Sequence, residues 1–232
     1  MKPRLLLIGA LSALAFHCFA AESHAVVISI AGDSTVATNP DDSPQRGWGQ
    51  YVQGYFDSGV AVHNFAKNGR STKTFLSEGL WAELLASKPD LVLIQFGHND
   101  SHSPTHPEHT DAGGDYKTYL ARFVTEARAI GAEPILVTPV QRRGKEDSLL
   151  TYAQAMKEVA RDLHVKLIDL HASSGALYAS LGPEGVAPLE RTGDHTHFSE
   201  LGARKIAALV IPPLIELAPA LKSHALDRHA AP

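Results

Sequence analysis

The segment Asp194-His195-Thr196-His197 sets a carboxylate and an imidazole three residues apart, close enough to share one turn. There the carboxylate can hold the ring in one tautomer, leaving its other nitrogen as a base. Two histidines near a helix start also suit metal binding or plain surface decoration. A base prepared this way acts on a hydroxyl. Ser34 supplies one within Ala31-Gly32-Asp33-Ser34-Thr35-Val36, where Gly32 permits a tight turn. A serine in such a place is equally a cap or turn residue, and Asp33 reads as a local capping group. Two other segments carry donors for a developing negative charge. In Asn64-Phe65-Ala66-Lys67-Asn68-Gly69-Arg70-Ser71, Gly69 presents an unhindered backbone N–H. In Gly97-His98-Asn99-Asp100, Asn99 presents a side-chain amide. A polar loop and an Asx turn are their plain alternatives.

These segments acquire meaning from the elements before them. Short apolar runs recur at 26–31, 60–65, 91–96, 133–138 and 165–170, each followed by a polar turn and then a helical pattern. The third, Leu91-Val92-Leu93-Ile94-Gln95-Phe96, is apolar at every position but one, as a strand covered on both faces should be. Helices are expected at 47–57, 79–87, 115–130, 150–163 and 199–211, the last stopped by Pro212-Pro213. Such alternation predicts a three-layer α/β/α domain with a five-stranded parallel sheet, doubly wound and flavodoxin-like, because five strands cannot close a barrel of this type. Ligands of such sheets bind beyond the C-terminal strand ends. Ser34, Gly69 and Asn99 all follow strands directly.

The chain of 232 residues suits one domain, and its 44% hydrophobic and 20% charged content is that of a soluble globular protein. A net charge of −4 gives nucleic acid no evident hold. Lys2 and Arg4, the apolar stretch 5–16 and the small residues Cys18 and Ala20 have the layout of a secretory signal peptide. The stretch is shorter than the roughly 20 residues of a membrane span. Residues 1–20 are therefore expected to be removed, leaving a domain over 21–220 and a loose tail over 221–232. Cleavage would remove the only cysteine, and with it any disulfide or thiolate chemistry. It predicts export to the periplasm or the medium, with no membrane contact afterwards.

Some residues stay ambiguous. Lys67, Arg70 and Lys73 follow the second run, and Arg142, Arg143 and Lys145 follow the fourth. They are either solvated charge or, with Arg70, Arg142 and Arg143 foremost, partners for substrate carboxylates. Trp48 is a candidate platform for a sugar ring, and both it and Trp81 read equally as packing residues. His98, His102, His106 and His109 would form a metal face on an unbroken helix, but Pro104 and Pro107 break one. A polar lid loop is expected there, and no metal or other cofactor is assigned.

The blocks Gly32-Asp33-Ser34, Gly69, Gly97-His98-Asn99-Asp100 and Asp194-x-x-His197 resemble, in order and spacing, those of the GDSL/SGNH hydrolase superfamily. The likeness covers about residues 26–211. Asp33-Ser34-Thr35-Val36, Gly47-Trp48-Gly49-Gln50, Gly69-Arg70-Ser71, Gln95-Phe96-Gly97-His98-Asn99-Asp100 and Asp194-His195-Thr196-His197 are similar to the rhamnogalacturonan acetylesterase branch. The resemblance implies a serine esterase with Ser34, Asp194 and His197 as triad and Ser34, Gly69 and Asn99 as oxyanion hole. It also implies an acetylated polysaccharide, most of all pectic rhamnogalacturonan, as substrate. An acetylxylan or short-chain acyl esterase would use the same triad. A non-catalytic carbohydrate-binding module on the same fold is the reading outside enzymes, and the complete triad counts against it. There is no Gly-x-Ser-x-Gly elbow, no Gly-x-Gly-x-x-Gly run and no P-loop.

Overall fold

The computed structural model describes residues 25–143 and 147–227. The expected signal peptide and Lys145 lie outside them. Strands β1 (Val26–Gly32), β2 (Val60–Asn64), β3 (Leu91–Gln95), β4 (Glu133–Val137) and β5 (Lys166–Ile168) form one sheet in the order β2-β1-β3-β4-β5. Every neighbouring pair is parallel. This is the flavodoxin-like order, and its switch point lies between β1 and β3. Their C-terminal ends are in register, with Gly32 opposite Gln95. The crevice above them therefore opens beside the residues that follow both strands.

Period-two alternation divides each central strand between two layers. Leu91 and Leu93 face a cluster with Ile28, Ile30, Ile135 and Val137, covered by Trp48, Val52 and helix α6 (Glu200–Leu217). Val92 and Ile94 face the other way, onto Trp81, Leu120, Phe123 and Met156. That second cover comprises α1 (Thr72–Ser77), α2 (Leu80–Ala86), α3 (Asp115–Ala129) and α4 (Leu150–Asp162). Among the described residues no helix is long and apolar enough to cross a membrane.

Several expectations change. The segment predicted as a helix over 47–57 is a 3₁₀ helix, Trp48–Tyr55. Helix α6 does not stop at Pro212-Pro213 but runs through both to Leu217. Val210, Ile211 and Leu214 are buried on either side, so packing outweighs the missing N–H groups. The sequence reading has no counterpart for α1 or for α5 (Leu170–Val186). In α5 only Leu170, His171 and Ser174 are buried and Gly182 turns the backbone to a φ of 65°, so no apolar stripe announces it. The loose tail is also corrected up to residue 227. Pro219–His224 forms a 3₁₀ turn with Leu221 buried, and Leu226 N–H donates to the Tyr55 carbonyl at 2.9 Å.

Candidate active site

The turn after β1 carries Ser34 and is braced from three sides. Asp33 accepts from the Thr35 N–H at 2.9 Å and the Thr35 hydroxyl at 2.7 Å. Gln95, the one polar residue of β3, receives the Trp48 indole N–H at 2.8 Å and donates to the Thr35 hydroxyl at 3.0 Å. The Trp48 N–H donates to the Thr35 carbonyl at 2.9 Å. Gly47 presses directly on this turn, where an added Cβ would stand 2.3 Å from the Val36 carbonyl carbon. Trp48 is therefore no sugar platform. It is fully buried, and its polar edge locks the serine turn. Trp81 is buried too, donating to Glu126. Gln95 escaped the sequence reading, although a single polar residue in an otherwise apolar buried strand was its visible signal.

The opposite wall is the loop before α6, where Phe198 forms bridges with both Arg46 and Glu190. Asp194 divides its two oxygens between structure and chemistry. Oδ1 accepts the N–H groups of Thr196 at 2.7 Å and His197 at 3.0 Å, making the local turn. Oδ2 lies 2.7 Å from His197 Nδ1. Partial burial pushes the Asp194 carboxyl up, but the bonds from His197 and the Thr196 N–H outweigh it and hold it well below the usual range. On the far side of the ring, His197 Nε2 lies 2.9 Å from Ser34 Oγ. With Nδ1–H donated to Asp194, Nε2 is the acceptor of the serine proton. The spacing that suggested one turn for Asp194 and His197 is realised, and the fold brings Ser34 to it across 163 positions of sequence.

Gly69 has a φ of 78°, and a Cβ there would meet nothing within 4 Å. Conformation, not crowding, demands glycine. Asn99 is buried and its amide donates to the Arg70 carbonyl at 3.0 Å, tying the loops after β2 and β3 together. Asp100 strengthens that tie by accepting from the Thr72 hydroxyl at 2.6 Å and the Thr110 hydroxyl at 2.9 Å. Burial pushes its carboxyl up to about 7.

The basic candidates separate. Arg143 is buried and is not a substrate contact. Its Nε pairs with Glu190 at 2.7 Å, one terminal nitrogen donates to the His197 carbonyl at 3.0 Å, and its plane lies over the Phe198 ring at 4.9 Å. The planar fork of donors thus holds the His197 loop from behind. Arg70 is about one-third exposed and pairs with Glu78 at 2.8 Å. Arg142 is half-buried; it donates to Ser148 at 3.0 Å, and burial lowers its pKa against the pull of Asp33 and Asp194. Behind it, His98 and Asp33 form a buried pair at 3.6 Å. Burial pushes the Asp33 carboxyl up, but His98 and Thr35 bring it below the ordinary range.

The arrangement joins a hydroxyl, an imidazole and an ionised carboxylate in line, with amide donors on adjoining loops, at the switch point of the sheet. Residues 30–205 match the model of the GDSL-like lipase/acylhydrolase family. The chain belongs to that family. Membership makes it an enzyme, a carboxylic ester hydrolase. It is 38% identical over 225 residues to the rhamnogalacturonan acetylesterase RhgT of Bacillus subtilis, covering 88% of this chain and 95% of the relative. It is 39% identical over 201 residues to the probable rhamnogalacturonan acetylesterase YesY of the same organism, covering 82% and 93%. Among solved structures, the YxiM protein of Bacillus subtilis superposes with a TM-score of 0.74 at 28% identity, covering 84% of this chain and 58% of that one.

Proposed function

We propose that this family member is a secreted carbohydrate acetylesterase that removes O-acetyl groups from plant cell-wall polysaccharide, pectic rhamnogalacturonan above all. The observation that carries the chemistry is the relay of 2.9 Å from Ser34 Oγ to His197 Nε2 and 2.7 Å from His197 Nδ1 to Asp194. His197 takes the Ser34 proton as Oγ attacks the ester carbonyl, and Asp194 stabilises the imidazolium. The Ser34 and Gly69 N–H groups and the Asn99 amide hold the oxyanion. His197 gives the proton to the departing sugar oxygen, which leaves as a free hydroxyl, then activates the water that releases acetate. The names of the relatives support the polysaccharide, and the layout of residues 1–20 supports export. Arg142 is the basic candidate best placed to meet a uronate.

Acetate release from acetylated rhamnogalacturonan, acetylxylan and aryl esters of rising acyl length, with Ser34→Ala as blank, tests this. The pectic polymer is expected to be hydrolysed fastest, with KM rising with salt on it alone. Preference for acetylxylan would move the substrate, and preference for long acyl chains would remove the acetyl assignment. Asn99→Ala is expected to lower kcat by about 10²–10³ if the amide serves the oxyanion. Unchanged kcat on any acetate ester would take Asn99 out of the mechanism.

A further inference from the structure

The loop between β3 and α3 gathers groups that ester hydrolysis does not use. Its base is pinned, with Thr110 N–H donating to the Asp100 carbonyl at 3.1 Å and the Tyr152 hydroxyl donating to the carbonyls of Asp100 at 3.0 Å and Thr110 at 2.6 Å. Beyond the pin the chain folds into consecutive turns, closed by His106 N–H to the Ser103 carbonyl at 2.9 Å and His109 N–H to the His106 carbonyl at 3.1 Å. These turns, and not a helix, bring three metal-ligating side chains together. One ligand atom from each of His102, His106 and Glu108 lies within 4.8 Å of the others. Nδ1 of His102 and Nδ1 of His106 each stand 3.8 Å from Glu108 Oε2.

That spacing is too long for hydrogen bonding. It is close to what one shared ion requires, since a tetrahedron of ~2.1 Å metal–ligand bonds has edges of ~3.4 Å. Small rotations of His106, 55% exposed, and His102, 38% exposed, close the difference. Two of the donor atoms, His102 Nδ1 and Glu108 Oε2, are shielded from solvent yet lack any hydrogen-bond partner. A shielded carboxylate oxygen left this way is costly, and a cation between it and two imidazoles removes the cost.

We propose that His102, His106 and Glu108 form a binding site for a divalent transition-metal ion of the zinc class, with water completing its coordination. Two imidazoles and one carboxylate suit such an ion, whereas calcium and magnesium favour oxygen-only sets. Each histidine ligates through Nδ1 and keeps its proton on Nε2. The other two members of the histidine row serve elsewhere. His109 turns Nδ1 to the His102 carbonyl at 2.7 Å, supporting the first ligand's backbone, and His98 is buried against Asp33. The ion would cross-link the tip of the loop whose root presents Asn99. This site is independent of the substrate assignment.

Calorimetric titration of ZnCl₂ into the untagged, chelator-stripped chain tests it. One equivalent is expected to bind, with a rise in Tm. His102→Ala and His106→Ala are each expected to weaken binding more than about tenfold, and Glu108→Gln in the same direction. His63→Ala, at an exposed histidine elsewhere, should leave affinity unchanged. Substituted Co²⁺ should give tetrahedral visible bands in the parent and none in His106→Ala. Far-UV dichroism checks that the variants fold. Absence of saturable binding, or affinity unaltered by both histidine replacements, would overturn the site.

Discussion

Ser34→Ala is expected to reduce acetate release by at least about 10⁴-fold while the protein remains folded. The hydroxyl is the only group at this position able to form the acyl-enzyme, and its side chain bonds to His197 alone in the described structure. Removing one oxygen from a small, nearly buried side chain disturbs little packing. The braces of its turn, Asp33, Thr35, Gln95 and Trp48, act on neighbouring atoms and stay in place. Melting temperature should thus move little. His197→Ala should match Ser34→Ala in severity, and the double variant should be no worse than either, since the two act as one device. Asp194→Asn should keep the fold but present the wrong tautomer at Nε2. The measurement is single-turnover acetate release beside thermal melts. Ready hydrolysis by Ser34→Ala would remove the serine mechanism. Additive losses in the double variant would separate the two groups.

Arg143→Met carries the second large effect, and it falls on stability and turnover together. Arg143 is 5% and Glu190 13% exposed in their side chains, so the methionine leaves a nearly buried carboxylate with only the exposed His195 ring, at 3.2 Å, beside it. Breaking such a pair from one side costs about 3–5 kcal/mol. Restoring the apolar balance with Glu190→Leu in the same chain should recover much of that cost. Catalysis should not follow, because the hydrogen bond from Arg143 to the His197 carbonyl is gone in both variants. Arg143 is a positioning residue, so kcat should fall while KM stays nearly constant. Arg143→Lys keeps the charge without the fork and should fall between. Urea denaturation and steady-state kinetics check both halves. Stability within about 0.5 kcal/mol of the parent, a surface-like value, with unchanged kcat would refute the role.

The strands were legible because parallel strands buried on both faces appear as unbroken apolar runs. Ser34, Gly69 and Asn99 were legible because each follows such a run directly. Asp194 and His197 were legible because their relation is local. What escaped depends on partners distant in sequence. Arg143 looks like any loop arginine until Glu190 arrives from 47 positions away. Trp48 looks like a sugar platform until Gln95 accepts its indole proton. Helix α6 passes two prolines because its buried face, invisible to local propensity, holds it. The His102–His106–Glu108 cluster escaped for the opposite reason. Pro104 and Pro107 break the helix that would have aligned the histidines, yet turns can converge side chains as well as a helix can.

The Ser34–His197 contact also has a consequence in time. Ser34 follows the first strand of the sheet, and His197 stands in the loop before α6, 163 positions further along. A folding chain can pair β1 with β2 and β3 and cover one face of the sheet while the serine still has no proton acceptor. Partly folded states that lack this contact are expected to be chemically silent. Reactivity requires the loop before α6 to close over the turn after β1, so it arrives together with the packing of α6 onto the sheet.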